Sequence, residues 1–158
     1  MSEHKDHADH ASVKIHPPIL TLIHIAIAYV AKWAIPIPFV VPDIFRYVGF
    51  ALVVIGFLLG IAAIREFMKA RTTVDPHGSV KTIVTSGIYR FTRNPIYLGF
   101  ALILMGLPLN SGTYWGVILA PIFIYLMNRL VIEHEEAYLE KKFKDVYTSY
   151  KSRVRRWL

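Results

Sequence analysis

The sequence predicts an all-α, polytopic membrane bundle of about four transmembrane helices followed by an amphipathic cytoplasmic helix. Hydrophobic residues make up 54% of the 158 residues, and they fall in long uncharged runs. Residues 47–64 carry no charge, and neither do residues 95–128. A helix needs about 20 apolar residues to cross a bilayer. The first run therefore predicts one span, and the second predicts two short spans. A soluble domain of this length would lack the polar residues for its outer layer.

The first span is expected at about residues 19–35. Pro17 and Pro18 precede it, in keeping with proline at the start of a helix. Lys32 and Trp33 lie near its far end, where a lysine can reach the headgroups and tryptophan prefers the interface. Three prolines then follow within seven residues, and they predict an extended loop because proline ends a helix.

The second span is expected at about residues 47–64. Gly49, Gly56 and Gly60 recur near helical spacing, which leaves one face smooth enough for another helix to approach closely. Gly56 and Gly60 form a GxxxG pattern, for which packing within the chain and dimerisation are the two interpretations. Packing within the chain is the preferred one.

The third and fourth spans are expected at about 95–107 and 113–132, joined by a tight turn at 108–112. The cytoplasmic tail, 133–158, is charged and predicted to be helical. Its apolar residues recur at steps of three and four, which is typical of an amphipathic helix. They are Leu139, Phe143, Val146, Tyr147, Tyr150 and Val154.

The distribution of lysine and arginine predicts the topology. Residues 36–46 contain one such residue, the 108–112 turn none, residues 65–94 six, and the chain from Arg129 onward eight. Because positive loops stay on the cytoplasmic side, both termini are expected there, in the inner membrane if the source is bacterial. The net charge of +7 is then explained by the topology and by contact with anionic lipid. Nucleic acid is not an expected partner.

The N-terminal residues 1–16 are predicted to be a disordered tail preceding a single domain, 17–158. The tail lacks the apolar core of a signal peptide. Its histidines alternate with acidic residues, so metal binding is the alternative to a disordered polar tail. These residues are His4, Asp6, His7, Asp9 and His10. No metal site is predicted elsewhere, and the absence of cysteine excludes thiolate ligands.

Two polar clusters are expected to meet at one end of the last two spans. Residues 81–97 lead into the third span, and residues 133–136 leave the fourth. Because these spans form a hairpin, the clusters should be neighbours at the cytoplasmic side. Each also has a plainer interpretation. Arg90 and Arg93 are typical flanks of a span, and Glu135 sits favourably at the start of a helix.

The order of these pieces resembles the isoprenylcysteine carboxyl methyltransferase family, within a group of membrane methyltransferases that includes the phospholipid N-methyltransferases. The chain is similar to a short, bacterial-type member over roughly residues 65–157. The first matching block contains Gly87, Tyr89, Arg93, Asn94, Pro95 and Tyr97. After the hairpin, the second contains Glu135, Glu136, Leu139, Phe143, Tyr147, Tyr150, Val154 and Arg155.

The resemblance implies S-adenosylmethionine as the methyl donor, bound at the cytosolic ends of the last spans. Carried over by position, the cofactor-binding residues are Lys81, Thr82, Ile83, Val84, Tyr89, Asn94, Pro95, Ile96, Tyr97, Glu135 and Glu136, with a contribution near Val74. Backbone groups of residues 82–84 suit an adenine edge, and Glu135 suits ribose hydroxyls or an ammonium group. A cation or backbone donors near Asn94 suit a carboxylate, and tyrosine faces suit a sulfonium.

The methyl acceptor is left open as a lipophilic or small carboxylate, thiol or amine. Asn94 stands where the family has histidine, and Val131 stands where the prenylcysteine enzymes have an arginine that meets the substrate. Arg129 and Arg93 are the substrate-side candidates, and no catalytic residue or oligomeric state is assigned. Two alternatives are a non-catalytic four-helix membrane protein and a nicotinamide-dependent enzyme like the sterol reductases.

Overall fold

The computed structural model describes residues 13–72 and 80–158, which form α-helices, short turns and no strand. The helices are α1 (Pro17–Ala34), α2 (Asp43–Lys69), α3 (Pro95–Asn110), α4 (Trp115–Met127), α5 (Glu133–Phe143) and α6 (Asp145–Arg153). A 3-10 turn, Gly87–Arg90, precedes α3, and a π-helical segment, Asn128–Ile132, joins α4 to α5. The all-α class is confirmed. The histidine tract and Val74 lie outside the described residues.

Three helices of the described chain are long and apolar enough to cross a membrane: α1, α2 and the continuous helix Trp115–Phe143. The apolar helix α3 has 16 residues, about 24 Å at 1.5 Å per residue, so the expected total of four spans stays a prediction. Large side chains on the outer faces are exposed, among them Leu22 at 64% and Phe50 at 61%. Such exposure suits contact with lipid.

Two helices extend beyond their predicted ends. The second begins at Asp43 and runs to Lys69. The acidic residue at its start and the basic residue at its end both interact favourably with the helix dipole, which stabilises the longer helix. The third continues through Pro108 to Asn110, so the predicted turn at 108–112 begins later. Pro108 cannot donate to the carbonyl of Leu104, and that oxygen instead faces Gly116 of α4 at close range.

Helix α3 is central, and its contact with α2 is a seam of paired glycines. A Cβ on Gly56 would lie 2.7 Å from the carbonyl oxygen of Gly99, and one on Gly106 would lie 2.5 Å from that of Gly49. The backbones therefore touch, as small residues permit in membranes. Packing within the chain is confirmed for Gly56. A Cβ on Gly60 would have no neighbour within 4 Å, so Gly60 lies outside the seam.

Helices α1 and α4 cover the opposite side of α3 and form the main core. Its fully buried members come from α1, α3, α4 and the π segment: Leu20, Ala101, Leu104, Phe123, Met127, Val131 and Ile132. Residues 13–16 join this region, because the Lys14 amide donates to the Leu130 carbonyl at 3.1 Å. The π segment is thus held by the residues that precede α1.

The tail forms two helices where one was predicted. Lys144 adopts φ 45° and ψ −121°, a non-helical conformation with positive φ that ends α5 and turns the chain into α6. The turn folds α6 back toward the 3-10 turn before α3, where the Tyr150 hydroxyl reaches the Tyr89 carbonyl, and Tyr147 and Tyr150 are buried. A residue in this conformation is not signalled by hydrophobic spacing, which continues across the break.

Candidate functional site

A cavity of about 120 Å³ opens where α2, α3, α5 and α6 converge. Its wall includes the end of α2, the segment before α3 and the first turns of α5. Aromatic and aliphatic side chains dominate the lining, with two carboxylates and one guanidinium among them. The lining residues are Phe67, Val80, Thr82, Ile83, Val84, Tyr89, Arg93, Asn94, Ile96, Tyr97, Glu135, Glu136, Tyr138, Leu139, Tyr147 and Tyr150.

The segment before α3 is fixed to α2 by Glu66. The Ser86 hydroxyl donates to Glu66 Oε2 at 2.5 Å, and Lys69 Nζ donates to Oε1 at 2.6 Å. Gly87 lies against this carboxyl group with φ +57°, and a Cβ there would lie 2.6 Å from Glu66 Cδ. Only glycine combines that backbone conformation with that approach.

Tyr150 fixes the following 3-10 turn from the other side. Its hydroxyl donates to the Tyr89 carbonyl at 2.7 Å. Burial raises the pKa of Tyr150 to about 12, with the charge of Arg93 opposing this in part. The phenol therefore remains a donor at physiological pH. Tyr89 is itself buried, and its ring packs edge-on against Phe67 with centroids 5.5 Å apart.

Tyr97 and Glu135 connect the starts of α3 and α5 inside the cavity. The tyrosine hydroxyl donates to Glu135 Oε1 at 2.5 Å. A hydrogen bond to a carboxylate is shorter and stronger than one between neutral groups. This bond holds the Glu135 carboxyl group at a fixed place in a cavity that aromatic side chains also line.

Glu136 is held in a buried cluster of ion pairs. Its side chain is 8% exposed and forms ion pairs with Arg93 Nη2 at 2.9 Å and with Arg156 Nη2 at 2.6 Å. Arg156 Nε adds a bond of 3.1 Å, and the hydrogen bonds to Glu136 raise the pKa of Arg156. Because its oxygens are engaged by the chain's own cations, Glu136 organises the wall of the cavity. Its predicted role in cofactor binding stays a prediction.

The C-terminal residues 154–157 run along the block before α3 as a strap. The Arg93 amide donates to the Arg155 carbonyl at 3.0 Å, and Asn94 Nδ2 donates to the Arg156 carbonyl at 2.9 Å. Trp157 Nε1 donates to Asn128 Oδ1 in the π segment at 3.1 Å. The strap thus joins the two polar clusters that the hairpin brings together.

Most of the predicted cofactor-binding residues surround this one cavity. The residues gathered there are Thr82, Ile83, Val84, Tyr89, Asn94, Ile96, Tyr97, Glu135 and Glu136, together with the substrate-side candidate Arg93. Lys81 does not line it: its side chain is exposed and its amide donates to Thr72 Oγ1 at 3.0 Å. Pro95 is buried at the start of α3.

Arg129, the second substrate-side candidate, lies away from the cavity. It is exposed, forms a salt bridge with Glu133 at 3.1 Å and lies 5.8 Å from the ring centre of Tyr125. All three side chains lie on the continuous helix that runs from α4 into α5. The structure therefore does not place Arg129 with the other candidates.

Six lining residues were not predicted as site residues. They are Phe67, Val80, Tyr138, Leu139, Tyr147 and Tyr150. Three of them belong to the second sequence block: Leu139, Tyr147 and Tyr150. Their presence in that block was the sequence feature that could have identified the tail as part of the site. Phe67 follows the second uncharged run by a few residues, and nothing in its surroundings distinguishes it from an interfacial aromatic. No group of metal-ligating side chains occurs within residues 13–72 and 80–158.

Comparison with known proteins gives one family match and two partial relatives. The family model for phospholipid methyltransferase matches residues 44–146. An uncharacterized protein of Haemophilus influenzae is 48% identical over 66 residues, which are 40% of this chain and 100% of that protein. A protein-S-isoprenylcysteine O-methyltransferase of Schizosaccharomyces pombe is 33% identical over 72 residues, 46% of this chain but only 30% of the yeast enzyme. No solved structure matches significantly.

Proposed function

The chain belongs to the phospholipid methyltransferase family, a group of membrane methyltransferases, and we propose that it transfers a methyl group from S-adenosylmethionine to a lipophilic or small acceptor at the cytoplasmic face. The observation that carries the proposal is the Tyr97–Glu135 pair inside an aromatic-lined cavity. It supplies a carboxyl group held at a fixed place and the faces of aromatic rings, and both suit a sulfonium cofactor.

The residues of the cavity fit the parts of this cofactor. When bound, S-adenosylmethionine supplies an electrophilic methyl group on a positively charged sulfur. Glu135 accepts hydrogen bonds from an ammonium group or from ribose hydroxyls. The non-helical residues 82–84 present backbone groups to an adenine edge. Tyr89 and Tyr97 place electron-rich faces near positive charge.

The apolar part of the cavity lining suits the alignment of methyl donor and acceptor that methyl transfer needs. An in-line displacement depends on alignment and on exclusion of water. The apolar side chains of Phe67, Ile96 and Leu139 line the same cavity as the polar groups, so they keep water from the reacting centre. The helices around it expose apolar surface to lipid, which gives a lipophilic acceptor a path within the membrane.

The acceptor class determines whether a base is required. A carboxylate or thiolate attacks without losing a proton, whereas an ammonium must first lose one. The chain contains no cysteine, so no thiol of its own competes for the methyl group. We keep carboxylate, thiol and amine acceptors within the proposal.

Titration of the purified full-length protein with S-adenosylmethionine and, separately, with NADPH tests the donor. We expect S-adenosylmethionine alone to raise the melting temperature. Glu135→Gln should abolish most of that shift. Glu133→Gln is the matched control, because Glu133 is on the same turn but pairs with Arg129 outside the cavity. A shift with NADPH only would favour a reductase, and no shift with either would favour a non-catalytic protein.

Incubation of membranes with methyl-labelled cofactor identifies the acceptor. Extraction then separates labelled lipid from labelled small molecules, and base treatment releases label from methyl esters but not from N-methyl or S-methyl groups. Label that depends on Glu135 supports the proposal. An absence of any Glu135-dependent product, in protein that binds the cofactor, would contradict methyl transfer by this site.

A further inference from the structure

A second cavity opens at the end of the bundle opposite the candidate functional site. It encloses about 340 Å³ between the loop after α1, the first turn of α2 and the turn between α3 and α4. Its lining residues are Ile37, Pro38, Phe39, Val40, Val41, Arg46, Ser111 and Gly112. Helix α3 begins beside the first cavity and ends beside the second, and its 16 residues span about 24 Å at 1.5 Å per residue. The second cavity is therefore a separate site.

Hydrogen bonds between neighbouring segments fix the wall of this second cavity. Arg46 Nε donates to the Asn110 carbonyl at 3.2 Å, and Asn110 Nδ2 donates back to the Arg46 carbonyl at 3.0 Å. On the loop side, Trp115 Nε1 donates to the Ile35 carbonyl at 3.0 Å. The Arg46 guanidinium is thus held in place before a ligand binds, which lowers the entropic cost of binding.

The charge of the second cavity is positive. Within the described chain, Arg46 is the one charged residue of its lining, and Lys32 Nζ contacts the same wall by donating to the Ser111 carbonyl at 2.5 Å. Arg46 Nη1 lies 3.6 Å from the carboxylate of Asp43, whose side chain is 85% exposed. An exposed pair of this kind is weak, so another anion can compete with Asp43. Nε and Nη1 are the guanidinium nitrogens with contacts in the described chain, which leaves Nη2 for a ligand.

Large apolar side chains around the second cavity favour a lipid as the source of the anion. Phe39 and Val40 belong to the lining and are 74% and 89% exposed, and Trp33, just before the loop, is 88% exposed. Because α1 and α2 are long and apolar enough to cross a membrane, we expect their ends at the level of the headgroups, where tryptophan is favoured. A soluble anion would leave these side chains in water, whereas the acyl chains of a lipid cover them.

We propose that the second cavity binds the phosphate of an anionic phospholipid in the leaflet at that end of the bundle. Arg46 Nη2 and the Lys32 ammonium donate to phosphate oxygens, while Phe39 and Val40 contact the acyl chains. A lipid in this position joins the loop after α1 to the turn after α3. The proposal is independent of the proposed function, since it uses no residue of the first cavity.

Calorimetric titration of the purified full-length protein in a nonionic detergent tests the site. The probes are short-chain phosphatidylglycerol, the diacylglycerol with the same chains, and glycerol phosphate. The diacylglycerol lacks the phosphate, and glycerol phosphate lacks the chains. We expect wild-type protein to bind phosphatidylglycerol about tenfold or more tightly than either of the other probes, as for a charge-assisted hydrogen bond.

Two variants at the salt bridge should have opposite effects on binding. Arg46→Gln should lower the affinity for phosphatidylglycerol by about tenfold and leave that for diacylglycerol unchanged. Asp43→Asn should raise the affinity for phosphatidylglycerol, because it removes the carboxylate that competes for Arg46. A purely structural salt bridge would instead be weakened alike by both changes. Arg65→Gln is the matched control, since Arg65 is an exposed arginine at the other end of α2.

Several results would overturn the proposal. An affinity for phosphatidylglycerol that is unchanged in Arg46→Gln, or that falls equally in Arg65→Gln, would exclude the site. Equal affinities for phosphatidylglycerol and glycerol phosphate would exclude a lipid as the occupant, because the acyl chains then add nothing. If Arg46→Gln does not fold, Asp43→Asn decides: a higher affinity supports the site, and an unchanged affinity overturns it.

Discussion

The hydroxyl of Tyr97 donates a 2.5 Å hydrogen bond to Glu135, across 38 residues of sequence. The bond joins the first turns of α3 and α5, which the hairpin between them brings to one end of the bundle. Within residues 13–72 and 80–158, two carboxyl groups line the cavity, and the bond fixes the direction of the one that does not belong to the cluster around Arg156. The geometry of the candidate cofactor site therefore depends on this pair.

Tyr97→Phe should weaken cofactor binding while the protein remains folded. The change removes the hydrogen bond but keeps the ring, and a bond to a charged group contributes about 1.5–3 kcal/mol. We expect the dissociation constant for S-adenosylmethionine to rise by about tenfold or more, as measured by calorimetry in detergent. Tyr125→Phe is the control, because Tyr125 is 58% exposed on α4. Equal affinities in both variants would show that the bond does not position Glu135 for the ligand.

Glu136→Ala should destabilise the protein far more than Glu140→Ala. Loss of Glu136 leaves the buried side chain of Arg93 without its carboxylate, and breaking a buried pair from one side costs about 3–5 kcal/mol. Glu140 is 39% exposed and pairs with Lys151, and such surface pairs contribute about 0–1 kcal/mol. Denaturant titration measures the difference. Similar losses in the two variants would mean that the cluster around Glu136 adds little to folding.

The sequence was sufficient to predict the all-α class, the approximate positions of the apolar helices and the meeting of the two polar clusters. Long uncharged runs predict spans directly, and a hairpin necessarily brings its two ends together. The assignment of Tyr97 and Glu135 as site residues came from the family resemblance, by matching positions. The hydrogen bond between Tyr97 and Glu135 could not be predicted from the sequence, because the spacing of residues along a helix does not determine which side-chain rotamers meet.

Other features depend on contacts that no local pattern encodes. The ion pair between Arg156 and Glu136 joins the C terminus to α5, and a basic tail alone is equally typical of a membrane flank. The π segment, Asn128–Ile132, lies in a run that reads as ordinary helix. Both Val131 and Ile132 are fully buried there. The sequence therefore predicted that the two polar clusters meet, but it did not predict the strap that runs along the block before α3.

Gly56→Leu should disrupt the contact between α2 and α3, whereas Gly60→Leu should be tolerated. A Cβ at Gly56 already lies 2.7 Å from the Gly99 carbonyl oxygen, while Gly60 has open space around it. Overpacking in a close contact typically costs about 1–3 kcal/mol. We expect a lower melting temperature for Gly56→Leu only. A similar loss in Gly60→Leu would instead indicate that Gly60 faces another molecule, as in a dimer built on the GxxxG pattern.

Asn94→His should retain cofactor binding, and Asn94→Ala should reduce it. Asn94 Nδ2 donates to the Arg156 carbonyl at 2.9 Å, so the side chain ties the start of α3 to the strap that also carries Arg156 toward Glu136. The isoprenylcysteine carboxyl methyltransferase family has histidine at this position. A histidine ring N–H can donate the same bond. Alanine offers no donor and leaves the strap held by fewer bonds.

Asn110→Ala distinguishes this local effect from a general loss of stability. Asn110 lies at the other end of α3, where its Nδ2 donates to the Arg46 carbonyl at 3.0 Å. Both alanine variants remove one hydrogen bond of about 0.5–1.5 kcal/mol, so their melting temperatures should fall by similar amounts. Only Asn94→Ala should raise the dissociation constant for S-adenosylmethionine, by roughly the factor of 2–10 that this energy range implies. If Asn110→Ala weakens binding equally, the strap has no specific role in positioning the site and acts only through the stability of α3.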